Sequence, residues 1–344
     1  MMGTERVAVV LLNLGAPDRQ DAVRPFLKNM FSDPAILSVP GVVRFFLARL
    51  ISTLRAKKAR AIYARLGGGS PLLPNTRAQA EALEAALGPG HRVFVAMRYW
   101  HPRAAETVAQ VKAYAPDRVV LLPLYPQFSS ATTASSIKEW RDMARRSGLD
   151  RPTAAICCYP AEDGWIGAQA DLVRRARAEA ARAGRPRVLF SAHGLPKKVI
   201  AAGDPYQWQV ERTAAAVAAR LGDSALDWVV CYQSRVGPLE WIGPSTEDEI
   251  RRAGRDKAPV VVAPIAFVSE HSETLVELDE EYRHLATEAG VPTFVRVPAV
   301  ATHPAFVNGL AALVRGARTN GVCAGDGARI CPAAHGLCAM VAGA

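Results

Sequence analysis

The sequence predicts an α/β protein with two parallel sheets, and three observations lead there. Seven short runs rich in Val, Leu and Ile have the length and unbroken apolarity of strands buried on both faces: Val7–Leu14, Val93–Met97, Val119–Leu124, Val188–Ser191, Trp228–Tyr232, Val260–Pro264 and Phe294–Val297. Between them lie stretches of helical period, Asn75–Leu87, Ala104–Ala115, Ser135–Arg146, Ile166–Ala183, Tyr206–Leu221, Ser269–Ala286 and His303–Arg315, and such alternation builds open parallel sheets. The chain has 344 residues, half of them apolar and 22% charged, which suits two cores and rules out a wholly disordered chain. Gly, Asp and Pro interrupt the helical pattern at Gly148–Pro152, so we expect a first domain over 1–150 and a second over 151–316, whose last helix can pack back on the first. A short Cys-rich extension over 317–344 follows. In this architecture ligands sit beyond the carboxyl ends of strands, and the interdomain cleft is the default site.

The formal charge is +10, from 42 Lys and Arg against 32 Asp and Glu. That excess favours an anionic partner: nucleic acid, an anionic membrane surface or an acidic small molecule. The Ala/Arg-rich helix Ala168–Ala183 reads as a solvated face, which sets nucleic acid aside. The N-terminal residues lack a basic region followed by a long apolar stretch, and no run reaches the ~18 apolar residues of a membrane span. A cytoplasmic, reducing location is therefore expected. Neither a P-loop nor GxGxxG occurs, which argues against an NTPase or a nicotinamide enzyme. The absence of GxSxG weakens a serine-hydrolase reading of Ser191 with His193 and Glu273.

Residues at the strand ends carry the chemistry. Ahead of the second strand, residues 36–70 join an apolar run containing Phe45, Phe46, Leu50 and Leu54 to Arg and Lys at 44, 49, 55, 57, 58, 60 and 65. Such a helix suits a membrane interface or a buried helix with a solvated edge. After Val119–Leu124 comes a hydroxyl-rich loop, and after Trp228–Tyr232 a loop holding Gln233, Ser234 and the flat side chain of Trp241. Val188–Ser191 runs into His193-Gly194-Leu195-Pro196, a turn that presents an imidazole able to take a proton or bind a metal. Val260–Pro264 leads to six acids and no Lys or Arg between Glu270 and Glu281, with Ser269 as expected N-cap. Glu270, Glu273, Glu277 and Glu280 or Glu281 recur at helical spacing, and with a nearby His they suit a transiently held divalent metal. In the tail, Cys323, Cys331 and Cys338 have the chemistry for zinc or an iron–sulfur cluster, with Cys157 and Cys158 as further donors.

Taken together, LLNLGAP at 11–17, YARLGGGSP at 63–71, MRYWHP at 97–102, LYPQFSSATTASS at 124–136, FSAHGLP at 190–196, GDPY at 203–206, YQSRVGPLEWIGP at 232–244 and PIAFVSEHSETLVELDEEY at 264–282 closely resemble the ferrochelatase family. The resemblance implies two similar Rossmann-like domains around a porphyrin cleft. It also implies insertion of Fe2+ into protoporphyrin IX or coproporphyrin, with release of two protons. Under it His193 is the pyrrole proton acceptor and, with Glu273 opposite, a ligand to the Fe2+ substrate. Glu277 begins an acidic path, and His271 stands beside it. Arg55, Lys58, Tyr63 and Ser70 correspond to the lip and pocket, Trp241 to a pocket aromatic and Arg98 to an arginine linked to metal delivery; Leu14 falls at a variable position. The tail resembles the [2Fe–2S] extension of some members, with Cys323, Cys331, Cys338 and, as fourth ligand, Cys158. Peripheral attachment to the inner face of the cytoplasmic membrane goes with it. The alternatives are a cobalt or nickel chelatase of another tetrapyrrole and a non-catalytic haem- or cluster-binding protein.

Overall fold

The computed structural model describes residues 5–235, 239–317, 321–324 and 328–340. The chain opens with β1 (Val7–Asn13), α1 (Val23–Phe31), the long α2 (Gly41–Arg65), α3 (Leu72–Leu87) and β2 (His91–Met97). It continues through α4 (Ala104–Tyr114), β3 (Arg118–Pro123), α5 (Ser135–Arg146) and β4 (Thr153–Ile156). Then come α6 (Asp163–Ala180), β5 (Arg187–His193), the short α7 (Lys197–Ala201), α8 (Tyr206–Leu221), β6 (Asp227–Gln233), α9 (Thr246–Arg255) and β7 (Val260–Pro264). A π-helical segment, Glu273–Glu281, leads into α10 (Tyr282–Glu288), β8 (Phe294–Arg296), α11 (Pro304–Gly316) and β9 (Gly321–Cys323).

Two compact units result, each built on one parallel sheet. The first takes the residues up to Tyr125, Ser129–Cys157 and Ala311–Ala328; the second takes Pro126–Phe128, Cys158–Leu310 and the residues from Arg329 on. The expected boundary at 150 thus moves to Cys157, because β4 pairs with β3 and belongs to the first sheet. The expected separate tail is divided as well. Its residues Gly321–Cys323 form β9, which adds a fifth strand by pairing with β4. Three residues, the first of them a glycine, carry no apolar period that would announce a strand.

Burial explains the unbroken apolar runs. All seven residues of β1 and all five of β7 are buried, as a central parallel strand with helices on both faces requires. In the first unit Ala8, Val10 and Leu12 pack against Val108 and Val111 of α4 and Ile137 and Trp140 of α5. In the second, Leu189 and Val262 pack against Ile250 and Ala253 of α9 and against Leu278 and Tyr282. The strand orders are β2-β1-β3-β4-β9 and β6-β5-β7-β8. Each places its first strand between its second and third, so the chain leaves neighbouring strands toward opposite faces at β1/β3 and at β5/β7. A crevice opens at such a switch point, beyond the carboxyl ends.

Helix α2 has one covered side and one open side. Its buried residues are Ala48, Ser52, Ala56 and Tyr63, which share one side at 100° per residue. Its large apolar side chains are outside: Val42, Phe46, Leu50 and Leu54 recur every fourth residue and are 74%, 64%, 55% and 70% exposed. Small residues let α2 lie close on α1, and the bulky ones form an apolar stripe facing solvent.

Candidate active site

The β5/β7 switch point of the second unit brings together His193, His271, Glu273 and Glu277. His193 is the last residue of β5, and its Nδ1 lies 2.7 Å from the Gly194 carbonyl. A carbonyl only accepts, so Nδ1 carries the hydrogen and Nε2 of the neutral ring is left with its lone pair. That Nε2 lies 4.0 Å from the Glu273 carboxylate. His271 repeats the arrangement from the other side: its Nδ1 meets the Ser269 carbonyl at 3.1 Å and its Nε2 is 4.0 Å from Glu273.

Glu273 and Glu277 are four apart on the π-helical segment and so face the same way. Between them stands Ser234, just past β6. Its N–H donates to Glu277 Oε1 at 2.9 Å, and its hydroxyl meets Glu277 Oε2 at 2.6 Å and Glu273 Oε2 at 3.4 Å. The Tyr282 hydroxyl adds a bond to Glu277. Burial first, and then the Glu273 charge, push the Glu277 carboxyl up to about 7, against the pull of the Ser234 bonds and of His193. Tyr206, at the start of α8, is buried with its hydroxyl against the backbone of His193, and that burial together with nearby acids keeps the phenol protonated. Two neighbouring carboxyl groups beside two imidazoles can take up and pass on protons, and they offer oxygen and nitrogen donors to a divalent cation.

Several expectations change here. Ser269 is no N-cap: it is buried in a bend, and Ser272 precedes the first helical residue, Glu273. Glu270 turns away to Arg296 at 2.9 Å, and Asp279 pairs with Arg283 and Arg296, so the acidic stripe narrows to Glu273 and Glu277. The arginines that neutralise the rest lie outside the window Glu270–Glu281, which is why that window reads as uncompensated. Glu280 and Glu281 are exposed. Ser191 bonds Gln233 and Thr246, consistent with the weak hydrolase reading. Ser234 and Tyr206 were missed as site residues. Their signals were position after a strand end and a Tyr opening a helix, both too common to single out. Trp241 lies against Gly194, where an added Cβ would be 3.2 Å from the indole and 3.0 Å from the Gln233 carbonyl.

In the first unit, Arg55 and Lys58 are exposed on α2, while Tyr63 and Ser70 are buried. Arg98 meets side chains of its own unit. Its Nε donates to Ser135, its Nη2 reaches Asp33 at 2.6 Å and its Nη1 lies 3.2 Å from Glu139. Asp33 also accepts from Ser135, Tyr99 and the Ala35 N–H. Burial works against its charge, but these bonds and Arg98 hold its carboxyl below the ordinary range. Leu14 packs on the neighbouring apolar cluster.

All six cysteines are buried, and none is in a disulfide. Cys323 ends β9, next to Cys157, whose N–H donates to the Cys323 carbonyl. Burial and the neighbouring Cys157 push the Cys323 thiol up to about 11. Among the described residues no three of His, Cys, Asp and Glu are gathered as a metal site. Nor is any described helix long and apolar enough to cross a membrane.

Comparison with known proteins completes the description. The family model described as Ferrochelatase matches residues 6–318. A ferrochelatase of Caulobacter vibrioides is 59% identical over 317 residues, 91% of this chain and 90% of that one. A ferrochelatase of Phenylobacterium zucineum is 54% identical over 339 residues, 97% of this chain and 98% of that one. Among solved structures, SirB from Bacillus subtilis with Fe3+ superposes with a TM-score of 0.54 at 13% identity, covering 92% of this chain and 96% of that one, a likeness of fold.

Proposed function

Because the chain belongs to the ferrochelatase family, and so inserts Fe2+ into a porphyrin for haem synthesis, we propose that His193 and the Glu273–Glu277 pair divide the proton chemistry of that insertion. Replacing two pyrrole N–H protons by one Fe2+ leaves the ring neutral and releases two protons. His193 accepts through Nε2, whose lone pair is left free by the Nδ1 bond to Gly194; this is the observation that carries the reading. Glu273 receives or guides the cation, and Glu277, titrating near neutrality, takes protons onward with Ser234 holding both carboxylates in line. Trp241, beside Gly194, offers a flat wall for the macrocycle. A bent ring exposes its nitrogen lone pairs, and binding energy against such a wall supplies the strain. His193→Ala should lose Fe2+ insertion while still binding porphyrin, measured as anaerobic metallation beside porphyrin fluorescence; full turnover by that variant would overturn the assignment.

The exposed stripe of α2, with Arg55 and Lys58 beside it, supports two further readings. An apolar ring with carboxylates, protoporphyrin IX or coproporphyrin, is met by apolar side chains with cations at the rim. The same stripe suits peripheral docking on an anionic membrane face. Insertion rates for the two porphyrins, measured side by side, decide the substrate.

Cys323, Cys331, Cys338 and Cys158 are the thiols we assign to a [2Fe–2S] cluster. All four are buried thiols and none is consumed in a disulfide, which supports the assignment by chemistry, while among the described residues no three of them are gathered as a metal site. When bound, such a cluster supplies one-electron redox chemistry. Iron and acid-labile sulfide at about two each per chain would support it; zinc or neither would refute it.

A further inference from the structure

Strand β2 is the outer edge of the first sheet, and a cavity of about 660 Å3 lies along it. None of the residues assigned above to porphyrin, iron or the cysteine tail lines it. Arg77 and Glu81 reach it from α3, Tyr114 from the end of α4, Arg92 from β2 itself and Arg6 from just before β1. Three guanidinium groups against one carboxylate leave its walls with a net positive charge. Among the described residues none of the three arginines is in an ion pair.

Two of these arginines are already held in place. The Arg6 guanidinium lies 4.4 Å from the centre of the Tyr114 ring and donates to the Tyr114 carbonyl, and that of Arg92 lies 5.6 Å from Phe94 and 5.8 Å from Tyr114. A guanidinium resting on a ring face keeps N–H groups at its edge for an anion, and little rotamer freedom is left to lose on binding. The cavity is thus preorganised for negative charge. It does not suit a further strand on β2, because the Val93 N–H already donates to Glu84 at 2.7 Å and the Val95 carbonyl already accepts from Thr107 at 2.7 Å. Nor does it suit a nucleobase: the Tyr114 ring is taken up by the two arginines and by Phe94, 5.8 Å away. What fits is a small, strongly charged anion with no ring to stack.

We propose that this cavity binds a compact oligophosphate, gripped by Arg6, Arg77 and Arg92. Such a chain carries several charges within a few bonds, so one molecule can meet all three guanidinium forks, and each fork matches the oxygens of a phosphate. Glu81 opposes it, and three cations outweigh one acid. The chain can come free or as the tail of a nucleotide, and the cavity reads the chain alone.

The test is calorimetric titration of the full-length, metal-free protein with tripolyphosphate at low salt. One site per chain is expected, weakening as salt rises. Arg77→Gln with Arg92→Gln, both exposed and outside the catalytic machinery, should weaken binding by about tenfold or more and leave Fe2+ insertion at the wild-type rate. Arg174→Gln with Arg182→Gln, the same loss of charge on exposed positions of the second unit, should leave binding unchanged. ATP should bind no more tightly than tripolyphosphate. The absence of saturable binding, equal weakening by both pairs of substitutions or a clear preference for ATP would each overturn the inference.

Discussion

Ser234 shows how much of this site depends on one backbone position. It adopts φ of +59°, a conformation uncommon for residues other than glycine, and in it both its N–H and its hydroxyl reach Glu277. Backbone strain of this kind is tolerated where the surrounding contacts demand it. Ser234→Ala should remove the hydroxyl bonds, raise the Glu277 carboxyl further and move the rising acid limb of the pH–rate profile to higher pH, read as insertion rate against pH. For Glu277 the direction of the pH effect follows from its carboxyl lying at about 7 in the folded chain against an ordinary 4.5. The folded state holds this proton more tightly than the unfolded one, so the contribution is complete below about pH 4.5 and is lost as pH rises through about 7. Glu277→Gln should then be more stable than wild type at pH 8 by at most about 3 kcal/mol and no more stable at pH 4, measured by urea unfolding, with insertion impaired.

At the scale of elements, the junction around Asp33 ties three pieces of the first unit together. Just past α1, its carboxylate binds Arg98 beyond β2 and Ser135 at the start of α5. Asp33→Ala leaves the Arg98 guanidinium short of its main counter-charge in a nearly buried place, and should cost about 3–5 kcal/mol in urea unfolding. Arg98 is thereby tied to the strand-end loops. Nothing in MRYWHP announces this, since Asp33 is 65 residues away in sequence. The π-helical segment is a second case. Its acids read as an ordinary amphipathic helix starting at Ser269, but the wider turn and the later start decide which two point into the site. Helix α2 was legible as apolar and basic; which face is covered was not, because Ala48, Ser52 and Ala56 are buried by packing on α1 and not by their own apolarity.

For the whole molecule, the charge of +10 spreads over a protein whose exposed stripe on α2 carries Arg and Lys on its flanks. If that stripe docks on an anionic surface, co-sedimentation with vesicles containing anionic lipid should fall as salt rises, and Phe46→Ser with Leu54→Ser should weaken it at any salt. Indifference to both would remove the membrane reading. The amino-acid sequence by itself determined the α/β class, the parallel strands and the strand ends where function sits, since apolar period and turn residues are local properties. Motif and spacing also singled out His193, Glu273 and Glu277, which the fold brings together. Only the tertiary structure decided that β4 and β9 belong to the first sheet, that Arg296 and Arg283 neutralise Glu270 and Asp279, and that Ser234 and Tyr206 stand where they do. Those are pairings between residues far apart in the chain, and no local pattern of charge or hydrophobicity encodes which distant partner a side chain will meet.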